Sequence, residues 1–89
     1  MNAREVIVKT KENLAILTNL GLNGVIGISK EGSEWKTTVE LIERKSIPDT
    51  SDILGIYEVR LDDEGEIVGF NRVKLRKRGE TQEDFKEGL

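Results

Sequence analysis

The side chains that could do chemistry in this 89-residue sequence are carboxylates, hydroxyls and cations, because it contains no His and no Cys. That removes the imidazole base, the Ser-His-Asp triad, the thiol nucleophile, the thiolate zinc site and the iron–sulfur cluster. Two groups of carboxylates remain: Asp49 and Asp52 beside Pro48, and Asp62, Asp63, Glu64 and Glu66 around Gly65. A carboxylate pair works as acid and base only in a concave, partly dry site that drives the two pKa values apart. The second group falls where a hairpin must turn, a convex and wet place. Turn formation through Asp side chains and Gly65 is its expected role. Weak binding of a divalent cation is the alternative there, although the spacing does not match an EF-hand loop. Gly21, Gly24 and Gly27 recur every three residues and match neither a phosphate-loop nor a dinucleotide-binding pattern. They are read as a helix stop, a turn and a strand position of close backbone approach. No catalytic residue, cofactor or metal is implied.

The strongest electrostatic feature is the run Arg72, Lys74, Arg76, Lys77 and Arg78. On a strand it makes a stripe that could meet a nucleic acid or an acidic protein. Glu40, Glu43 and Glu58 on neighbouring strands offer cross-strand partners, so a self-neutralised, solvated edge is expected first and an acidic protein partner second. Nucleic acid comes last. The chain carries 14 Lys+Arg against 17 Asp+Glu, and only 4% of its residues are aromatic and able to stack on bases.

These groups need elements to hold them. Ala3, Val6, Ile7, Thr10, Leu14, Leu17 and Leu20 recur at helical spacing, with Asn2 and Glu5 as a capping box and Gly21 as the stop. Asn23-Gly24 reads as a turn. Strands follow at Val25–Lys30, Trp35–Arg44, Ile53–Asp62 and Ile67–Arg78. Turns at Glu31-Gly32-Ser33 and Asp63–Glu66 separate them, with one extended loop at Lys45–Asp52. Such short links favour an antiparallel meander. The expected fold is α+β in two layers: one N-terminal helix packed on a four-stranded antiparallel sheet. It occupies residues 1–79 as a single domain, and 80–89 form a flexible tail, with Thr81 a cap for a short turn through Asp84-Phe85.

Alternation places Trp35, Val39, Leu41, Ile53, Tyr57, Val59 and Leu61 toward the helix, with Ile67, Val73 and Leu75 from the last strand. Trp35 and Tyr57 are expected in the core. The other face receives Lys36, Glu40, Arg44, Glu58, Arg60, Arg72, Lys74 and Arg76 as solvated decoration. Ile42, Leu54, Ile56, Val68 and Phe70 break the pattern. Either a bulge in the last strand turns Phe70 inward or these are scattered exposed apolar side chains, or else they form an apolar patch for association. No apolar run approaches the ~20 residues that span a bilayer, and the start lacks the apolar block of a signal peptide. A soluble cytosolic protein is the expectation.

Order and spacing over Trp35–Arg78 carry a resemblance. The run Val39-Glu40-Leu41-Ile42-Glu43 is followed by Ile47-Pro48-Asp49-Thr50 and Asp52-Ile53-Leu54. Tyr57-Glu58-Val59, Leu61-Asp62, Gly65-Glu66-Ile67 and Arg72 complete the set. Together they closely resemble the gas vesicle protein GvpO family, many of whose members carry a longer charged N-terminal extension. Phe70 keeps one aromatic position of the family's last strand, and Leu75 replaces another. The resemblance implies a non-enzymatic accessory protein of gas vesicle formation, cytoplasmic or vesicle-associated. It implies other accessory or shell proteins as partners, with a homodimer as a further option and no membrane.

The expected interaction residues are Ile42, Ile56 and Phe70 on the uncovered sheet face, Pro48 and Asp49 in the loop, and Arg72, Lys74 and Arg76 on the last strand. The alternative functions are a regulatory nucleic-acid binder using the basic strand and a periplasmic or cell-wall module, which would require an export signal.

Overall fold

A computed structural model describes residues 1–80. Helix α1 spans Ala3–Leu17 and begins as the sequence predicts: the Asn2 side chain accepts from the Glu5 N–H, and the Glu5 carboxylate accepts from the Asn2 N–H, both at 2.9 Å. It ends differently. Thr18, in extended backbone conformation, caps the helix. Its N–H and its hydroxyl both donate to the Leu14 carbonyl, at 2.9 and 3.1 Å. The last turn is therefore satisfied three residues before Gly21, and Gly21 opens the first strand instead of closing the helix.

Four strands follow: β1 (Gly21–Glu31), β2 (Glu34–Arg44), β3 (Ile53–Leu61) and β4 (Ile67–Lys77), paired antiparallel in the order β1-β2-β3-β4. Gly32, at φ +64°, makes the two-residue turn between β1 and β2, and Gly65, at φ +88°, serves the turn between β3 and β4. Asn23-Gly24 is no turn: both residues lie inside β1, with Asn23 as a bulge.

One face of the sheet packs on α1. Val6 and Leu14 meet Val39, Leu41, Tyr57, Val59 and Leu61, and Leu20, Val25, Ile28, Trp35, Ile67 and Phe70 border that cluster. Thr10 and Thr37 are buried inside it and remain satisfied. Thr10 donates to the Val6 carbonyl at 2.8 Å, and Thr37 lies 3.4 Å from both the Thr10 hydroxyl and the Val59 carbonyl. Leu17, expected in this stripe, is half exposed.

Strand β4 departs from the predicted faces because it is bulged twice. Leu61 pairs with Ile67 and Arg60 with Gly69, which leaves Val68 extra; Ile56 pairs with Lys74 and Tyr57 with Arg72, which leaves Val73 extra. Each extra residue flips the alternation. Phe70 therefore joins the helix side and stacks on Tyr57, with ring centroids 5.0 Å apart and planes 9° apart. Val73 and Leu75, expected in the core, are half exposed. The bulge that the sequence reading offered for Phe70 is observed. The chain continues through a 3-10 turn at Arg78–Glu80; the rest of the expected C-terminal tail, including the turn through Asp84-Phe85, lies outside the described residues.

Phe70→Ala should lower stability by about 2–3 kcal/mol, whereas Val68→Ala and Val73→Ala should each stay within about 0.5 kcal/mol. Urea unfolding of the three variants checks this register directly.

Candidate functional site

The bulges divide the eight expected interaction residues. Ile42, Ile56, Lys74 and Arg76 share the sheet face away from α1 with Glu40. Phe70 and Arg72 lie on the α1 side. Pro48 and Asp49 are exposed in the loop between β2 and β3, where a 3-10 turn at Asp49–Ser51 follows a cis Ile47-Pro48 bond. Ile47 at that tip is fully exposed. Neither Ile42 nor Ile56 stands out to solvent in this way; both are half-buried.

The face away from α1 is crossed by an ion network in which Glu40 pairs with the basic strand as the sequence offered, but out of water instead of as solvated decoration. Glu40 on β2 is 7% exposed. One of its carboxylate oxygens accepts from Arg76 Nε and Nη2, both at 2.7 Å, and the other accepts from Asn23 Nδ2 at 2.8 Å. Arg76 sits on β4 and Glu40 on β2, so the pair meets above β3. Leu54, the register partner of both Ile42 and Arg76, is fully buried without belonging to the core under α1. Arginine stems cover apolar surface in this way while their guanidinium groups stay paired.

Arg78 extends the network to the sheet's far edge. Its Nη1 donates to Asn23 Oδ1 at 3.1 Å, and its Nε and Nη2 donate to Asp52 Oδ2 at 3.3 and 3.1 Å. Asp52 is completely buried and also accepts from the Ser46 N–H at 2.7 Å, with Lys45 Nζ 3.9 Å away. Asp49 and Asp52 are thus no acid/base pair: one is in water and the other is held by four donors' worth of positive charge and N–H groups. The hairpin acids likewise shape a turn. Asp62 accepts from the N–H groups of Glu64 and Glu66 at 2.9 and 3.0 Å.

Electrostatics follow this geometry. Burial pushes the Glu40 carboxyl up, but hydrogen bonds from Arg76 and Asn23 and the charges of Arg76 and Arg78 outweigh it and hold it below 4.5. The Ser46 N–H draws the Asp52 carboxyl below 3.8; burial opposes this, and Arg78 and Lys45 reinforce it.

A second cluster occupies the α1 side. The Tyr57 hydroxyl donates to Glu43 Oε2, and Arg72 Nη1 approaches the same oxygen at 3.7 Å. Burial first, then the Glu43 carboxylate, raises the Tyr57 phenol above 10.0. Gly55 makes the contact feasible: a Cβ there would strike the Glu43 carboxylate and come within 2.9 Å of the Tyr57 ring. Glu43 meets Arg72 as the cross-strand partner the sequence offered, whereas Asp52 was read only as a loop carboxylate and Asn23 only as a turn residue. Each is positioned by a bulge or by an arginine far away in the chain.

Glu40→Gln should cost about 1–3 kcal/mol, because Arg76 keeps its charge and loses its counter-ion in a nearly dry place. The wild-type carboxyls titrate lower folded than unfolded, so their stabilisation is complete above the ordinary carboxylate range and is lost as pH falls through the lowered folded values. Thermal melts from pH 6 to pH 3 should show a shallower decline for Glu40→Gln. Gly55→Ala should push Glu43 away from Tyr57 and bring the phenol closer to 10.0. Absorbance titration reads this cleanly, since Tyr57 is the single Tyr of the chain.

A family model described as gas vesicle synthesis protein GvpO matches residues 1–82. Gas vesicle protein O of Haloferax mediterranei is 37% identical over 79 residues, covering 88% of this chain and 56% of that protein. Gas vesicle protein O1 of Halobacterium salinarum is 38% identical over 62 residues, covering 70% of this chain and 52% of that protein. A gas vesicle protein O from a Streptomyces species is 37% identical over 68 residues, covering 76% and 53%. The chain spans about half the length of the curated relatives it matches. No solved structure matches it. The matched region takes in the helix, all four strands and both ionic clusters, and on that match the chain belongs to the gas vesicle synthesis protein GvpO family.

Proposed function

We propose that this chain is a non-enzymatic accessory protein in gas vesicle formation, acting through contacts with other accessory or shell proteins of the vesicle. The observation that carries the reading is the family match over residues 1–82, which spans the whole described fold. The buried carboxylates support it: Glu40 is held by Arg76 and Asn23, and Asp52 by Arg78 and the Ser46 N–H. No helix among the described residues is long and apolar enough to cross a membrane, and the cytoplasm, at the vesicle surface, is the proposed place of work.

The contact surface proposed is the sheet face of Ile42, Ile56, Lys74 and Arg76 with the adjoining Pro48-Asp49 loop, framed by the Glu40–Arg76 pair. Phe70 and Arg72 belong to the opposite side. The nucleic-acid reading gains nothing here, because Arg72, Arg76 and Arg78 each face a carboxylate of the same chain. Self-association is the remaining option for the surface.

Removing the gene from a vesicle-forming host should lower gas vesicle yield, scored by electron microscopy, and the wild-type chain should restore it. Purified chain should bind at least one separately purified gas vesicle protein of the same organism, and Asp49→Arg with Lys74→Glu should weaken that binding at least about tenfold. Normal vesicles without the gene would refute the role. Unchanged binding by the double variant would refute the surface.

A further inference from the structure

Asn23 and Gly24 are the expected turn pair that the fold places inside a strand. Asn23 is the extra residue of the first β1 bulge, between the pairs Leu22–Leu41 and Gly24–Glu40, and it is exposed. Of the chain's five asparagines it alone is followed by glycine; the others precede Ala3, Leu14, Leu20 and Arg72. The fold itself makes no demand for glycine at 24. The φ there is not positive, and a Cβ would meet nothing within 4 Å. What the bare residue changes is the reach of its own nitrogen. A side chain crowds the backbone nitrogen beside it and stiffens the main chain, and glycine removes both obstacles.

We infer that Asn23-Gly24 is a self-modification site, held shut in the intact fold by Glu40 and Arg78. In the reaction the Gly24 backbone nitrogen gives up its proton and attacks the carboxamide carbon of Asn23. The new C–N bond closes a five-membered succinimide, the bond to Nδ2 breaks, and that nitrogen takes up the proton and leaves as ammonia. Water at this exposed edge then opens the ring at either carbonyl, leaving aspartate or isoaspartate at position 23. The fold opposes the first step by gripping both ends of the carboxamide. Nδ2 donates to Glu40 Oε1 at 2.8 Å, and Oδ1 accepts from Arg78 Nη1 at 3.1 Å. Arg76 in turn holds Glu40, and Asp52 holds Arg78. The carboxamide turns back on Gly24 only when this network lets go, so conversion runs through local opening of the sheet's end. The change is one-way. Aspartate at 23 lacks the Nδ2 donor and sets a second carboxylate against Glu40, which is 7% exposed. Isoaspartate adds a carbon to the main chain of β1 and breaks its register with β2. Each converted copy thus keeps a permanent mark of having opened. Nothing in this inference depends on the proposed function.

The full chain is incubated in mildly alkaline buffer, folded or unfolded in urea, and the carboxamide-to-carboxylate mass gain is followed by fragmentation mass spectrometry. The gain should map to Asn23, separated from Asn13 and Asn19, and should accumulate much faster in urea than in the folded chain. Arg78→Lys keeps a cation beside Asp52 but lacks the fork that reaches Asn23 as well. Conversion in that variant, shown to be folded by circular dichroism, should rise about tenfold, the worth of one hydrogen bond to a charged group. Gly24→Ala fits the fold and should slow conversion at least about tenfold in urea, where only the local chain matters. Asn23→Asp should melt several degrees below the wild type. A mass gain centred on another asparagine, or one undiminished by Gly24→Ala, overturns the site. Equal rates for the folded and the urea-unfolded wild type overturn the restraint, whether or not Arg78→Lys folds. A folded Arg78→Lys that converts no faster than wild type overturns it too. An unchanged melting temperature for Asn23→Asp overturns the structural consequence.

Discussion

One helix cannot cover four strands, and the rest of this structure is arranged around that shortfall. The residues wholly removed from water under α1 come from the two central strands: Val39 and Leu41 on β2, Val59 and Leu61 on β3. The outer strands supply only partly buried neighbours such as Val25, Ile28, Ile67 and Phe70. A core of this width is small, which is what a chain near 90 residues can build. Both outer strands are bulged twice, a feature that twists an open edge away from flat pairing with other chains.

The second face solves the same shortage by different means. With no helix there among the described residues, Arg76 and Arg78 lie across the strands and exclude water from Leu54 and Asp52. Such a cover is costly to assemble, because carboxylate and guanidinium groups must leave water, and it contributes modestly to net stability. Its value is positional. Asn23 on β1, Glu40 on β2, Asp52 before β3 and Arg76 and Arg78 at the end of β4 are mutually satisfied in one register only. A one-residue slip in any strand would strand a charge.

Local chemistry was legible in the sequence, and long-range chemistry only in part: Glu40 and Glu43 were readable as partners of the basic run, but not the burial of Glu40 and Asp52. Asn2 and Glu5 announce the helix start within four residues, and Gly32 and Gly65 mark the turns they occupy, so element order and the two-layer meander follow from neighbours alone. The helix stop went to Gly21 because glycine is the usual signal, whereas Thr18 satisfies the Leu14 carbonyl with both of its donors. Strict alternation cannot register a bulge, and two of them moved Phe70 inward and left Val73 and Leu75 half exposed. Glu40 and Asp52 look like surface residues because their counter-ions stand 36 and 26 positions further along the chain. Of the eight expected interaction residues, the bulges carry Phe70 and Arg72 to the α1 side, away from Ile42, Ile56, Lys74 and Arg76.

Arg78 gives the molecule a sense of completion. A meander joins each strand to the one made just before it, so almost all of the pairing is local in sequence. The bond from Arg78 to Asn23 spans 55 positions and closes over a carboxylate that earlier strands have already surrounded. Ser46 and Lys45 reach the same carboxylate, that of Asp52, from the segment before β3, and Arg78 adds the two donors that come from beyond β4. The buried end of the sheet is therefore held by residues from both ends of the meander. One arginine thus ties the first strand to the segment beyond the fourth, a long-range tether in a sheet whose pairing is otherwise between chain neighbours.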